Sequence, residues 1–120
     1  MENGTGESFQ RKARLTTAAD FRHVFSKNLR LGDSDITFLV GAHTGEKPRI
    51  GFAIAKKQIK KAVQRNGLKR IFRESFRKNQ YRLPARDIVV MVRKQILLSN
   101  GMQLRASLDK YWNNIISRCS

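Results

Sequence analysis

Between Lys56 and Lys78 the chain carries ten basic residues, Lys56, Lys57, Lys60, Lys61, Arg65, Lys69, Arg70, Arg73, Arg77 and Lys78, against a single acid, Glu74. In the same stretch Leu68, Ile71, Phe72, Ser75 and Phe76 recur at helical spacing. At about 100° per residue they share one face of a helix. Ala62, Asn66, Lys69, Arg70, Arg73 and Arg77 fall on roughly the opposite face. The apolar side must dock on a core. The cationic side has no local acids to balance it, and like charges one turn apart repel. Any fold that accommodates this segment therefore leaves the basic face open toward a polyanion. The whole chain shares the bias: Lys plus Arg is 25 and Asp plus Glu is 9, for a net charge of +16. Nucleic acid is the first candidate partner.

The length, 120 residues, predicts one domain able to bury roughly two thirds of its unfolded surface. Residues 1–10 read as a flexible N-terminal arm and 11–118 as a single RNA-binding domain, with Arg11, Lys12 and Arg14 forming a second basic cluster at its start. Thr17 to Asp20 fits a weak capping box. Phe21, Val24 and Phe25 follow at i, i+3, i+4, one apolar stripe on a short helix. Asn28 to Asp35 reads as a polar connector. Ile36 to Val40 is a β-rich run, and Arg49 to Ala55 is a second strand expected to pair with it as a hairpin across the turn at His43–Pro48. Asp87 to Arg93 has the unbroken apolar character of a central strand. Ser99 or Asn100 can cap a final helix with Leu104, Leu108, Tyr111, Trp112 and Ile115 inside. The order α-β-β-α-β-α predicts an α+β domain, helices on a small mixed sheet, with a parallel strand pair joined by a crossover.

Other classes are disfavoured. The longest apolar run, Ile88 to Val92, is far short of a membrane span, and Met1 to Ser8 lacks the apolar core of a signal peptide. One cysteine, Cys119, cannot form an internal disulfide. A cytoplasmic location with no metal or cofactor on the protein itself is the expectation. Catalysis needs clustered carboxylates or an acid–base pair. Asp33 and Asp35 are the only close acids and suit loop solvation better than a metal. His23 and His43 sit in unrelated segments, and Ser8, Ser26, Ser75 and Cys119 have no visible activating partner. Binding remains. Asn66 offers donors and acceptors to a phosphate, a 2′-hydroxyl or a base edge, against the plainer reading of a surface helix residue. Phe21 and Phe25 are either core or a stacking platform.

The run Arg65-Asn66-Gly67-Leu68-Lys69-Arg70-Ile71-Phe72-Arg73, preceded by Lys56-Lys57 and Lys60-Lys61, resembles the signature of the bacterial ribonuclease P protein component. Arg14-Leu15 with Asp20-Phe21 and Val24-Phe25, Arg49-Ile50-Gly51-Phe52, and Asp87-Ile88-Val89-Val90 are similar to the family's flanking blocks, so the likeness spans about residues 11–116. It implies a ribosomal-protein-like fold with a left-handed β-α-β crossover, where composition alone favours the right-handed one. It also implies a partner RNA that carries out Mg²⁺-dependent hydrolysis and a holoenzyme that removes the 5′ leader of precursor tRNA. No obligate protein partner and no membrane are implied. Carried over by residue, Lys56, Lys57, Lys60, Lys61, Arg65, Asn66, Lys69, Arg70 and Arg73 match the RNA-binding motif, and Phe21 and Phe25 match the aromatics of a leader cleft. The first-strand residue of that cleft is Phe38 or Leu39. Gly67 departs from the family, which more often has a bulky, frequently basic, side chain there. The rivals are a ribosomal or tRNA-binding protein without a cleavage role, which has no use for a Phe21/Phe25 helix facing the sheet, and a stand-alone nuclease, for which the carboxylates are missing.

Overall fold

The computed structural model describes residues 14–43, 45, 47–98 and 100–119. Helix α1 spans Ala18–Ser26, followed by strands β1 (Leu29–Gly32), β2 (Ile36–His43) and β3 (Arg49–Phe52). Helix α2 spans Ala62–Asn79, strand β4 Arg86–Val92, a 3-10 turn Lys94–Leu98 and helix α3 Gly101–Cys119. The sheet order is β1-β2-β4-β3, with β3 and β4 parallel and the other pairs antiparallel. This is the mixed, helix-packed α+β domain expected.

Two local expectations are corrected. The order contains one more strand than α-β-β-α-β-α, because the presumed connector after Asn28 holds β1. Asp33 closes its turn: the carboxylate accepts from the N–H of Asp35 (2.8 Å) and of Ile36 (3.2 Å). Gly32 takes the positive φ of 122° that the turn requires. Second, β2 and β3 do not form a hairpin. β4 lies between them, pairing antiparallel with β2 and parallel with β3. The physical reason is hydrophobicity on both faces. Ile88, Val89 and Val90 are wholly buried, and only an interior strand covers both sides of such a run.

The two faces differ. Below the sheet, Ile36, Phe38, Val40, Ile50, Ile88, Val90 and Val92 meet Leu68, Phe72 and Phe76 of α2 and Leu104, Leu108, Trp112 and Ile115 of α3 in the main core. Within it Trp112 Nε1 donates to Ser75 Oγ at 2.7 Å, satisfying both polar groups. Above the sheet a smaller cluster gathers Leu15, Val24, Leu39 and Val89. Helix α1 begins as its sequence suggests, with the N–H of Asp20 donating to Thr17 Oγ1 at 3.1 Å. Helix α3 begins with a reciprocal box: Gln103 N–H donates to Asn100 Oδ1 (2.8 Å) and Asn100 N–H to Gln103 Oε1 (3.1 Å). The other proposed cap, Ser99, lies outside the described residues, as does the arm over residues 1–10.

Candidate nucleic-acid interface

Helix α2 splits as its spacing predicts. Leu68, Phe72, Ser75 and Phe76 are buried, while Asn66, Arg70 and Arg77 are exposed. Its lone acid, Glu74, reaches Arg105 of α3 at 3.6 Å and leaves the basic side unneutralised. The first turn has no acidic residue and no side-chain cap. Its free N–H groups, with Lys60 and Lys61 exposed just before them, make an electropositive helix start. Lys56 and Lys57 are exposed on the crossover that leads there.

Three motif residues are only half exposed. Lys69 is one. Arg65 turns back on the crossover, donating from Nη1 to the carbonyls of Ile59 (2.8 Å) and Lys60 (3.0 Å). It therefore braces the loop that presents the lysines. Arg73 lies over the ring of Phe52, 5.2 Å from its centroid, where β3 forms the sheet edge. Arg14 approaches from the other side, its backbone bridging to Ile50 while Leu15 N–H donates to Ile50 O at 2.9 Å. Burial, then the charge of Arg14, holds the Arg73 guanidinium below its usual pKa. Both Arg14 Nε and Arg73 Nε are buried without a hydrogen-bond partner. The two cations thus lie close enough to repel each other at the edge of β3. Arg11 and Lys12, the remainder of that basic cluster, lie outside the described residues.

The second feature is the upper face. Leu39, Val89 and Gly51 stand in one row across β2, β4 and β3. Helix α1 sits on this row because glycines let it descend. A Cβ on Gly51 would lie 2.8 Å from both Phe21 Cζ and Leu15 Cβ, and one on Gly41 would lie 3.1 Å from Val24 Cγ2. The Phe21 ring is thus seated on β3. Phe25 is 47% exposed and stacks on Phe21, with centroids 6.4 Å apart and planes at 28°. The structure also settles the first-strand register. Phe38 belongs to the main core, in contact with Phe72 and Trp112, and Leu39 faces α1.

Sequence reasoning missed two sets of residues. Arg30 pairs opposite Leu39, and by strand alternation it shares the upper face with Thr37. With Leu31, Gly32, Asp33, Ser34 and Arg93 these two line a groove of about 320 Å³. The signal was Arg30 between two leucines, legible once β1 is recognised as a strand. The other set is an ion network. Arg49 of β3 donates to Asp87 from Nε (2.9 Å) and Nη2 (2.8 Å), and reaches Asp20 of α1 at 3.4–3.5 Å. Its hydrogen bonds to Asp87 raise the Arg49 pKa. Asp33, considered as a metal ligand from sequence, is engaged otherwise: it also accepts from the Tyr111 hydroxyl. Burial pushes its carboxyl up, but that bond and the N–H groups of Asp35 and Ile36 outweigh it and hold the pKa below 3.8. Among the described residues no three His, Cys, Asp or Glu side chains converge on a metal site, and no helix is long and apolar enough to cross a membrane.

Comparison with known proteins gives one answer. A family model described as Ribonuclease P matches residues 9–116. The RNase P protein of Thermotoga maritima is 30% identical, with a TM-score of 0.75 over 85% of this chain and 96% of that one. It has also been solved bound to 1-(4-fluorophenyl)-2-thiourea, and that structure covers 82% of this chain and 96% of its own at a TM-score of 0.74 and 30% identity. A Staphylococcus aureus RNase P protein mutant with defective mRNA degradation activity is 25% identical, with a TM-score of 0.80 over 88% of this chain and 90% of that one.

Proposed function

The chain belongs to the ribonuclease P protein family, and from that premise we propose that it binds the holoenzyme's catalytic RNA through α2 and the 5′ leader of precursor tRNA above its sheet. One observation supports this best: the chain carries two separate surfaces suited to nucleic acid, one cationic and one aromatic. The first is the unneutralised cationic side of α2 with the lysines before it. The second is the α1 cleft, where Phe25 is half exposed and Phe21 is seated beneath it. A simple RNA-binding module needs the first surface only.

Each surface has its own physics. Lys56, Lys57, Lys60, Lys61, Arg70 and Arg77 are exposed point charges that release counterions when they meet phosphates. Asn66, exposed on the same side, adds a donor and an acceptor for a base edge or 2′-hydroxyl. Arg73 and Arg14 lie near each other at the edge of β3, where a phosphate would offset their mutual repulsion. In the cleft, an unpaired leader base stacks on the open face of Phe25, a contact indifferent to base identity. Arg30 and Arg93 line the groove on the upper face and offer counter-charge to leader phosphates.

In this reading phosphodiester hydrolysis belongs to the partner RNA, with Mg²⁺ held by the RNA supplying an activated water. The protein's part is counter-charge and grip. Its cations replace some of the divalent ions that otherwise screen RNA–RNA repulsion. The test is reconstitution with a bacterial ribonuclease P RNA. The protein should permit leader removal at Mg²⁺ concentrations where the RNA alone is inactive, and RNA-free protein should not cleave at the leader junction. Failure to lower the Mg²⁺ requirement, or site-specific cleavage by the protein alone, would overturn the proposal.

A further inference from the structure

Helix α1 is short for an element that carries a binding surface. It has nine residues, and Val24 is its one fully buried side chain. It packs on the sheet through Val24 above Gly41 and Phe21 above Gly51, about one turn apart, and its tilt is set by what holds its ends. Its C-terminal end is capped by Asn28 Nδ2, which donates to the Val24 carbonyl at 2.7 Å, and the chain passes straight into β1 at Leu29. Its N-terminal turn is different. Asp20 meets the guanidinium of Arg49, whose other edge is held by Asp87. Asp87 is 2% exposed and sits on the central strand, so the chain of contacts runs from the interior of the sheet out to α1. Arg49 is the one basic residue of β3, and its planar fork serves two carboxylates at once.

We propose that the Asp20–Arg49–Asp87 relay is the positioning device of the leader cleft. It sets the tilt of α1 so that Phe21 stays seated on Gly51 and Phe25 stays stacked on Phe21 at the cleft rim. The arrangement of strengths fits this role. The buried leg to Asp87 is short and bidentate at 2.8–2.9 Å, while the Asp20 leg is longer at 3.4–3.5 Å and partly solvated, with Arg49 at 29% and Asp20 at 27% side-chain exposure. Breaking the outer leg therefore frees the helix without opening the core. None of the three residues is offered as a leader contact. They act through Phe25, and the inference rests on the leader-cleft reading above.

The experiment uses reconstituted holoenzyme and compares its affinity for precursor tRNA with its affinity for mature tRNA. Asp20→Asn keeps the shape and removes the charge. It should lower the precursor-to-mature ratio by about tenfold, the range of a displaced stacking contact, with mature tRNA binding unchanged. Arg49→Lys, which keeps a cation for Asp87 but cannot bridge to Asp20, is the second variant and should show the same selective loss. Phe25→Ala supplies the reference, and the double variant Asp20→Asn/Phe25→Ala should lose no more than Phe25→Ala alone, because the two act on one contact. A leader-specific loss for Phe25→Ala with none for Asp20→Asn and Arg49→Lys overturns the positioning role and leaves the cleft standing. Additive losses in the double variant, or equal losses for both RNAs, show the relay to be structural only. No leader-specific loss for Phe25→Ala removes the cleft reading and this inference with it.

Discussion

Arg73 offers the sharpest separation of stability from binding. In the free protein its guanidinium feels the charge of Arg14, its Nε is buried without a hydrogen-bond partner, and it lies over the ring of Phe52. A buried donor left unmet costs about 1–3 kcal/mol. A partly exposed cation–π contact returns about 0.5–1 kcal/mol. Arg73→Met keeps an unbranched chain over Phe52, adds a sulfur–aromatic contact and removes both the orphaned donor and the repulsion. The free protein should therefore gain about 0–2 kcal/mol of stability. That corresponds to a rise in Tm of up to roughly 8 °C for a domain of this size. RNA binding should move the other way. If Arg73 meets one phosphate, the slope of log K against log salt becomes shallower by about 1. Urea or thermal unfolding without phosphate or RNA reads the first quantity, and a salt titration of binding to the partner RNA reads the second. Arg70→Met is the control: Arg70 is exposed, so stability should change by less than about 0.5 kcal/mol while the slope falls similarly. A loss of more than about 1 kcal/mol in Arg73→Met, with the salt slope intact, would refute the reasoning and make Arg73 a cover for Phe52.

Three further outcomes follow from other positions. Gly67 faces open space on an exposed turn of α2, so Gly67→Ala should stabilise by about 0.5–1 kcal/mol, measured by urea unfolding, and Gly67→Arg should steepen the salt slope of RNA binding by about 1. Phe21→Ala empties the seat on Gly51 and should cost about 2–4 kcal/mol, whereas Phe25→Ala, half exposed, should cost roughly half as much in the same unfolding assay. The Asp33 carboxyl is held below its ordinary pKa of 3.8 by the Tyr111 hydroxyl and two backbone N–H groups. Its contribution is present above pH 3.8 and is lost as pH falls through the lower folded value, so Asp33→Asn should flatten the acid limb of a Tm-against-pH curve below about pH 4 and leave its slope near pH 7 unchanged.

What sequence made legible was whatever depends on local periodicity. The two sides of α2, the Thr17 cap and the inner face of α3 are properties of single segments and appear largely where their spacing puts them, though Arg73 folds over Phe52 instead of standing in solvent. The errors concern partners. Strand β1 was hidden because four residues with Arg30 among them carry little β signal on their own, and the Asx turn at Asp33 becomes visible only with Ile36 opposite. The expected hairpin of β2 and β3 applied the usual preference of neighbouring segments for each other. It failed because the more apolar β4, thirty-odd residues later, took the interior position. The same limit governs the candidate sites. Arg65 and Arg70 look equivalent in a basic run, yet the chain bends the crossover under Arg65 and leaves Arg70 in solvent. Phe21 and Phe25 look like a matched pair, and a glycine on another strand makes them different.

The late arrival of β4 has a consequence for biogenesis. The row Leu39–Val89–Gly51 draws on three strands, and its middle member is translated last. A nascent chain that has extruded residues 56–78 already displays its full set of α2 cations, but β2 and β3 have nothing to bridge them and α1 has no floor. Charge is therefore presented before selectivity. On the proposed reading, until β4 threads between its older neighbours the polypeptide would attract any RNA by its phosphates and could not tell a leader from another strand. Closing this non-local pairing is also the slow step that topology predicts for such a sheet. Partner RNA waiting at the basic helix would act on the chain while it is still incomplete, so docking and maturation of the cleft become successive stages of one assembly.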